Sequence, residues 1–100
     1  MTYRLPLDPQ ILGEVCRRHH IRKLSLFGSM LKGTARTDSD IDLLVEFELG
    51  AKPSLLTMAA IEIELTDLLG QKVDLRTAED LSRYFRDEVV HEAEPQYVAA

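Results

Sequence analysis

One hundred residues, 45% hydrophobic and 29% charged with a formal net charge of −5, read as one soluble globular domain spanning 1–100, long enough for one real core and too short for two. Five Gly and four Pro exclude collagen-like and low-complexity chains, and the apolar runs at 43–45 and 58–61 fall far short of the roughly 18 residues that cross a bilayer. Residues 1–6 lack the apolar stretch of a secretory signal, and the single Cys16, unable to form an internal disulfide or a cysteine-based zinc site, fits a reducing cytoplasm.

The predicted elements begin at Asp8-Pro9, an N-cap followed by proline at the first helical position. Leu12, Val15, Cys16 and His19 then recur at helical spacing, which predicts a helix to about residue 20. Residues 21–27 alternate weakly and stop at Gly28-Ser29, the pattern of a strand entering a turn. A short helix is expected over 29–33, then a polar loop over 34–39. Residues 40–47 alternate strictly, with Asp40, Asp42, Leu44 and Glu46 on one face and Ile41, Leu43, Val45 and Phe47 on the other. Ser54 caps a helix whose core stripe is Leu55, Met58, Ile61, Leu65 and Leu68, with Gly70 as its stop. Residues 72–75 form a short strand, and a weak capping box at 77–80 opens a last helix through about Glu92. Pro95 ends that helix, and 96–100 are expected to be loose unless a partner holds them. The order α-β-α-β-α-β-α predicts an α/β (α+β) fold, a small sheet with helices against it.

Charge is distributed unevenly. Residues 1–37 carry seven Lys/Arg against two Asp/Glu, a net +5, whereas 38–100 carry five against fifteen, a net −10. An acidic chain this small repels a nucleic-acid backbone, so direct nucleic-acid binding is not expected. The basic cluster at 17–23 reads as a solvated helix end whose cations suit the negative end of the dipole.

The chemistry-bearing stretch is Gly28-Ser29, ten intervening residues, then Asp40-Ile41-Asp42. Residues i and i+2 of a strand share a face, so the two carboxylates converge on one point. At ~5 Å they repel by roughly 3 kcal/mol at an effective dielectric of 20, a load that a hard divalent cation removes. Glycine lets a backbone approach a ligand, and Ser29 adds a hydroxyl and an amide where a helix N-terminus favours an anion. Phosphates at Gly28-Ser29 and a metal at Asp40/Asp42 together describe one bound nucleotide. Asp74, between Val73 and Leu75, is the natural third carboxylate, completing the metal shell or taking a proton from the attacking group.

These residues, with the fuller runs at 27–45, 72–75 and 84–89, resemble the minimal branch of the polymerase beta-like nucleotidyltransferase superfamily over roughly residues 8–97. The resemblance is to the minimal nucleotidyltransferase (MNT) family, usually the antitoxin half of HEPN–MNT toxin–antitoxin pairs. It implies a small mixed sheet flanked by helices in a nucleotidyltransferase fold, two Mg²⁺ ions, ATP as donor, and transfer of AMP to a tyrosine of a HEPN toxin. By carry-over, Asp40, Asp42 and Asp74 bind metal, Asp74 also acts as base, and Gly28 and Ser29 hold the triphosphate. Arg36 is a further phosphate ligand or a loop-surface residue, and Arg83 and Arg86 face either nucleotide or solvent. Met30 and Lys32 depart from the larger polar or arginine residues common in that branch. Tyr3, Tyr84 and Tyr97 suit core or interface packing better than accepting AMP.

The rival expectation is a catalytically silent antitoxin that neutralises its partner by binding alone, although a vestigial site would be expected to have lost a carboxylate. An aminoglycoside-type enzyme would need a substrate-binding domain for which 100 residues leave no room. Template-directed polymerisation is disfavoured by the same shortness and by the acidic balance.

Overall fold

The computed structural model describes residues 5–27, 41–81, 83–84 and 86–99. Helix α1 (Pro9–Arg18) starts where its cap dictates, the Asp8 carboxylate accepting from the Gln10 N–H at 2.8 Å. It buries Leu12, Val15 and Cys16 as its stripe requires. A two-residue turn follows in which His20 takes a left-handed φ of 58°, its carbonyl accepting from the Glu48 N–H at 2.8 Å.

Strands β1 (Ile21–Phe27), β2 (Ile41–Phe47), β3 (Val73–Arg76) and β4 (Glu94–Val98) form one mixed sheet in the order β3-β2-β1-β4. β1 runs antiparallel to both β2 and β4, while β2 and β3 are parallel and joined through helix α2 (Leu55–Leu69). A crossover helix is the connection that a parallel pair needs. α1 and α2 bury one sheet face, where Leu12, Val15, Cys16, Ile61 and Leu65 pack with Leu24, Leu26, Ile41, Leu43, Val45, Val73 and Leu75. The alternation expected in β2 holds, with Ile41, Leu43 and Val45 at most 1% exposed.

α2 is capped by Ser54, whose hydroxyl accepts from the Thr57 N–H at 3.1 Å, and it stops at Gly70 with φ 72°. Its core stripe is narrower than expected. Ile61 and Leu65 are fully buried and Met58 and Leu69 pack beside them, but Leu55 is 90% exposed and Leu68 40% exposed. The i+4 row 61, 65, 69 faces the core in place of 68.

Two expectations over the C-terminal third are corrected. The capping box at 77–80 forms, with Asp80 Oδ2 3.1 Å from both the Thr77 N–H and hydroxyl, yet it closes a single 3₁₀ turn (Ala78–Asp80). Leu81 then turns extended and buries its side chain, and the helix restarts as α3 (Arg86–Glu92). The tail is not loose, because 94–98 are β4, an edge strand on β1 in which Pro95 pairs opposite Ser25. Proline is tolerated on an edge strand because only one side of it is paired. Tyr97 packs on the core, Ala99 N donates to the Arg22 carbonyl at 2.8 Å, and Gln96 Oε1 accepts from the Leu5 N–H at 2.8 Å. The short helix and loop expected over 29–39 lie outside the described residues.

Candidate active site

The face of the sheet opposite α1 and α2 carries the polar residues of the central strands. Cross-strand register puts Phe27 opposite Asp42, and Asp42 opposite Asp74. One row across three strands therefore reads Phe27–Asp42–Asp74, and the next reads Ser25–Leu44–Arg76. Neighbouring strands lie about 4.8 Å apart, so the two carboxylates leave the sheet side by side. Both residues are half-buried, whereas Leu44 and Ser25 beside them are only 3% exposed.

The strand that carries Asp74 is held in place from two sides. Toward β2, Ile41 N donates to the Lys72 carbonyl at 2.8 Å, setting the register that pairs Asp42 with Asp74. On its outer edge, Val73 N donates to Thr66 Oγ1 at 3.0 Å and Leu75 N to Glu62 Oε2 at 2.8 Å, both acceptors standing on α2. The helix thus positions the site by its polar side chains as well as its apolar ones.

Arg76 adds a cation that sequence reasoning did not single out. Its Nη2 lies 3.2 Å from Asp74 Oδ2, with the Asp74 side chain 31% exposed. The Asp74 hydrogen bond and charge, with smaller contributions from Asp80 and Asp42, raise the arginine's pKa above its ordinary value. The available signal was the spacing, since 74 and 76 of one strand must share a face.

Of the other expected site residues, Asp40, Gly28, Ser29 and Arg36 lie outside the described residues. Arg86 donates Nη2 to the Leu81 carbonyl at 3.1 Å, and the Arg83 guanidinium sits 5.5 Å from the centre of the Tyr84 ring. Tyr84 is 86% exposed, and Tyr3 is outside the described residues. Among the described residues no group of three or more His, Cys, Asp or Glu gathers into a metal cage. The two described carboxylates nonetheless suit Mg²⁺, which takes one or two carboxylates and completes its octahedron with water and substrate phosphates. No helix among the described residues is long and apolar enough to cross a membrane.

Comparison with known proteins bears on the family and the fold. The nucleotidyltransferase domain family matches residues 9–95. A Methanocaldococcus jannaschii protein described as a candidate protein adenylyltransferase is 36% identical over 76 residues, covering 76% of this chain and 80% of its own. The protein adenylyltransferase MntA of Thermococcus cleftensis is 45% identical over 62 residues, 62% of this chain and 61% of its own. Among solved structures, a candidate minimal nucleotidyltransferase superposes with a TM-score of 0.72 at 39% identity, covering 87% of each chain. A toxin–antitoxin with AMP-PNP superposes with a TM-score of 0.73 over 93% of this chain and 75% of that one; at 22% identity it speaks for the fold alone.

Proposed function

The chain belongs to the nucleotidyltransferase domain family, and from that premise we propose that it is a Mg²⁺-dependent protein adenylyltransferase that moves AMP from ATP to a tyrosine of a HEPN-domain toxin, acting as the antitoxin of the pair. The observation that carries this reading is the Asp42–Asp74 pair, set side by side on the sheet face opposite α1 and α2. Relatives named protein adenylyltransferases support it. In this reading residues 1–100 act as one catalytic domain in the cytoplasm, where ATP is plentiful and the one cysteine stays reduced.

The reaction is an in-line displacement at the α-phosphorus. The acceptor hydroxyl oxygen forms a bond to that phosphorus, the bond to the β-phosphate bridging oxygen breaks, and pyrophosphate leaves. Asp74 takes the hydroxyl proton as base. Gly28 and Ser29 hold the triphosphate through backbone amides and the Ser29 hydroxyl, with Arg36 as a further phosphate ligand. Asp40, Asp42 and Asp74 would hold Mg²⁺, which when bound offsets the charge on the phosphates.

Intact-mass spectrometry of a co-expressed HEPN partner, incubated with this chain, ATP and Mg²⁺, tests the reading. The expected result is a partner mass gain in whole AMP units, absent with Asp42→Asn, which keeps shape and removes charge. An intact complex with no mass gain would return the role to inhibition by binding alone.

A further inference from the structure

We propose that Arg76 is a positioning residue, the resident counter-cation of the carboxylate pair, and that it sets how tightly the site takes a divalent cation. The proposal rests on the metal-site reading above and adds to it the residue that competes for the same oxygen. β3 puts Asp74 and Arg76 two residues apart on one face, and Arg76 Nη2 already occupies Asp74 Oδ2 at 3.2 Å. Across the sheet the register partner of Arg76 is Leu44, an apolar side chain 3% exposed, which itself offers the guanidinium no polar group. With its side chain 49% exposed, Arg76 has room to turn to solvent without disturbing the core.

A cation arriving at Asp74 meets one carboxylate oxygen already engaged by a fixed positive charge. Its affinity is therefore lower than the same carboxylates would give alone, because like charges a few ångströms apart repel. An arginine with a merely structural role would act in the other direction, since losing it would disorder Asp74 and weaken binding.

The test is Mn²⁺ binding to the full chain, followed by the electron paramagnetic resonance signal of free Mn²⁺, with melting in chelator to verify folding. Arg76→Gln keeps a donor and removes the charge, and is expected to tighten Mn²⁺ binding roughly fivefold. Arg76→Lys restores the charge and is expected to bind as the parent does. Unchanged or weakened Mn²⁺ binding in Arg76→Gln overturns the proposal. If Asp74→Asn loses Mn²⁺ while Arg76→Gln binds like the parent, the counter-cation role fails and the metal site stands. If the parent itself binds no Mn²⁺, both fail together.

Discussion

Glu64 illustrates how single side chains tie the two helices together. Its carboxylate meets Arg18 Nη1 at 2.6 Å and His19 Nε2 at 3.1 Å, bridging α2 to the end of α1. Burial pushes its pKa up, but hydrogen bonds from Arg18 and His19 and their charges outweigh it and hold the group below the ordinary glutamate value. A depressed folded pKa means stability that is present above the unfolded value and lost as pH falls through the folded one. Glu64→Gln is therefore expected to cost under about 1 kcal/mol at neutral pH, a difference that closes below about pH 4. Paired thermal melts across that range check it, and a gap that stays constant with pH would remove the assigned ion pair. At this scale the sequence was most legible where chemistry is local. Asp8, Ser54 and Gly70 cap as read, whereas the convergence that strand alternation implies for Asp40 and Asp42 lies outside the described residues, and Asp74 meets Asp42 through the β2–β3 register. Arg76 escaped notice because its meaning depends on which face of β3 lies opposite the helices, a fact of the assembled sheet.

At the scale of elements, α2 depends on its stop. Gly70 sits at φ 72° with its N–H donating to the Thr66 carbonyl at 2.9 Å, and a Cβ there would meet nothing within 4 Å. The cost of Gly70→Ala is then backbone strain alone, about 1 kcal/mol, or a melting temperature lower by about 4–8 °C. Gly70→Asn, which tolerates that conformation, is expected to recover part of the loss. A Gly70→Ala chain that melts with the parent would mean that α2 ends differently in solution. Elements whose signals are periodic and bounded by caps, α1, α2 and β2, were readable from the sequence. β4 was not, because five residues with one proline carry little strand signal, and their pairing is decided by the free edge of β1. The last helix was read as continuous because its capping box is local, whereas burial of Leu81, which breaks it, is tertiary.

Among the described residues, several large apolar side chains of one region stand in solvent. Leu49, Leu55, Leu56 and Ile63 are 105%, 90%, 82% and 63% exposed, clustered on α2 and the loop before it. Patches of this kind favour association. The double variant Leu56→Lys/Ile63→Lys is expected to lower concentration-dependent light scattering while leaving stability within about 0.5 kcal/mol, since neither side chain is in the core. Unchanged scattering would mean that the isolated chain does not self-associate through this surface.

The hydrogen bonds that Thr66 and Glu62 make to Val73 and Leu75 restrict how a substrate can come in. The outward N–H groups of β3 at these two positions are already spent, so an extended peptide has no donors there to zip onto beside Asp74. Under the proposed reading, a protein substrate is not recognised as a strand added at Val73 and Leu75 on this border, because α2 has already taken those two positions.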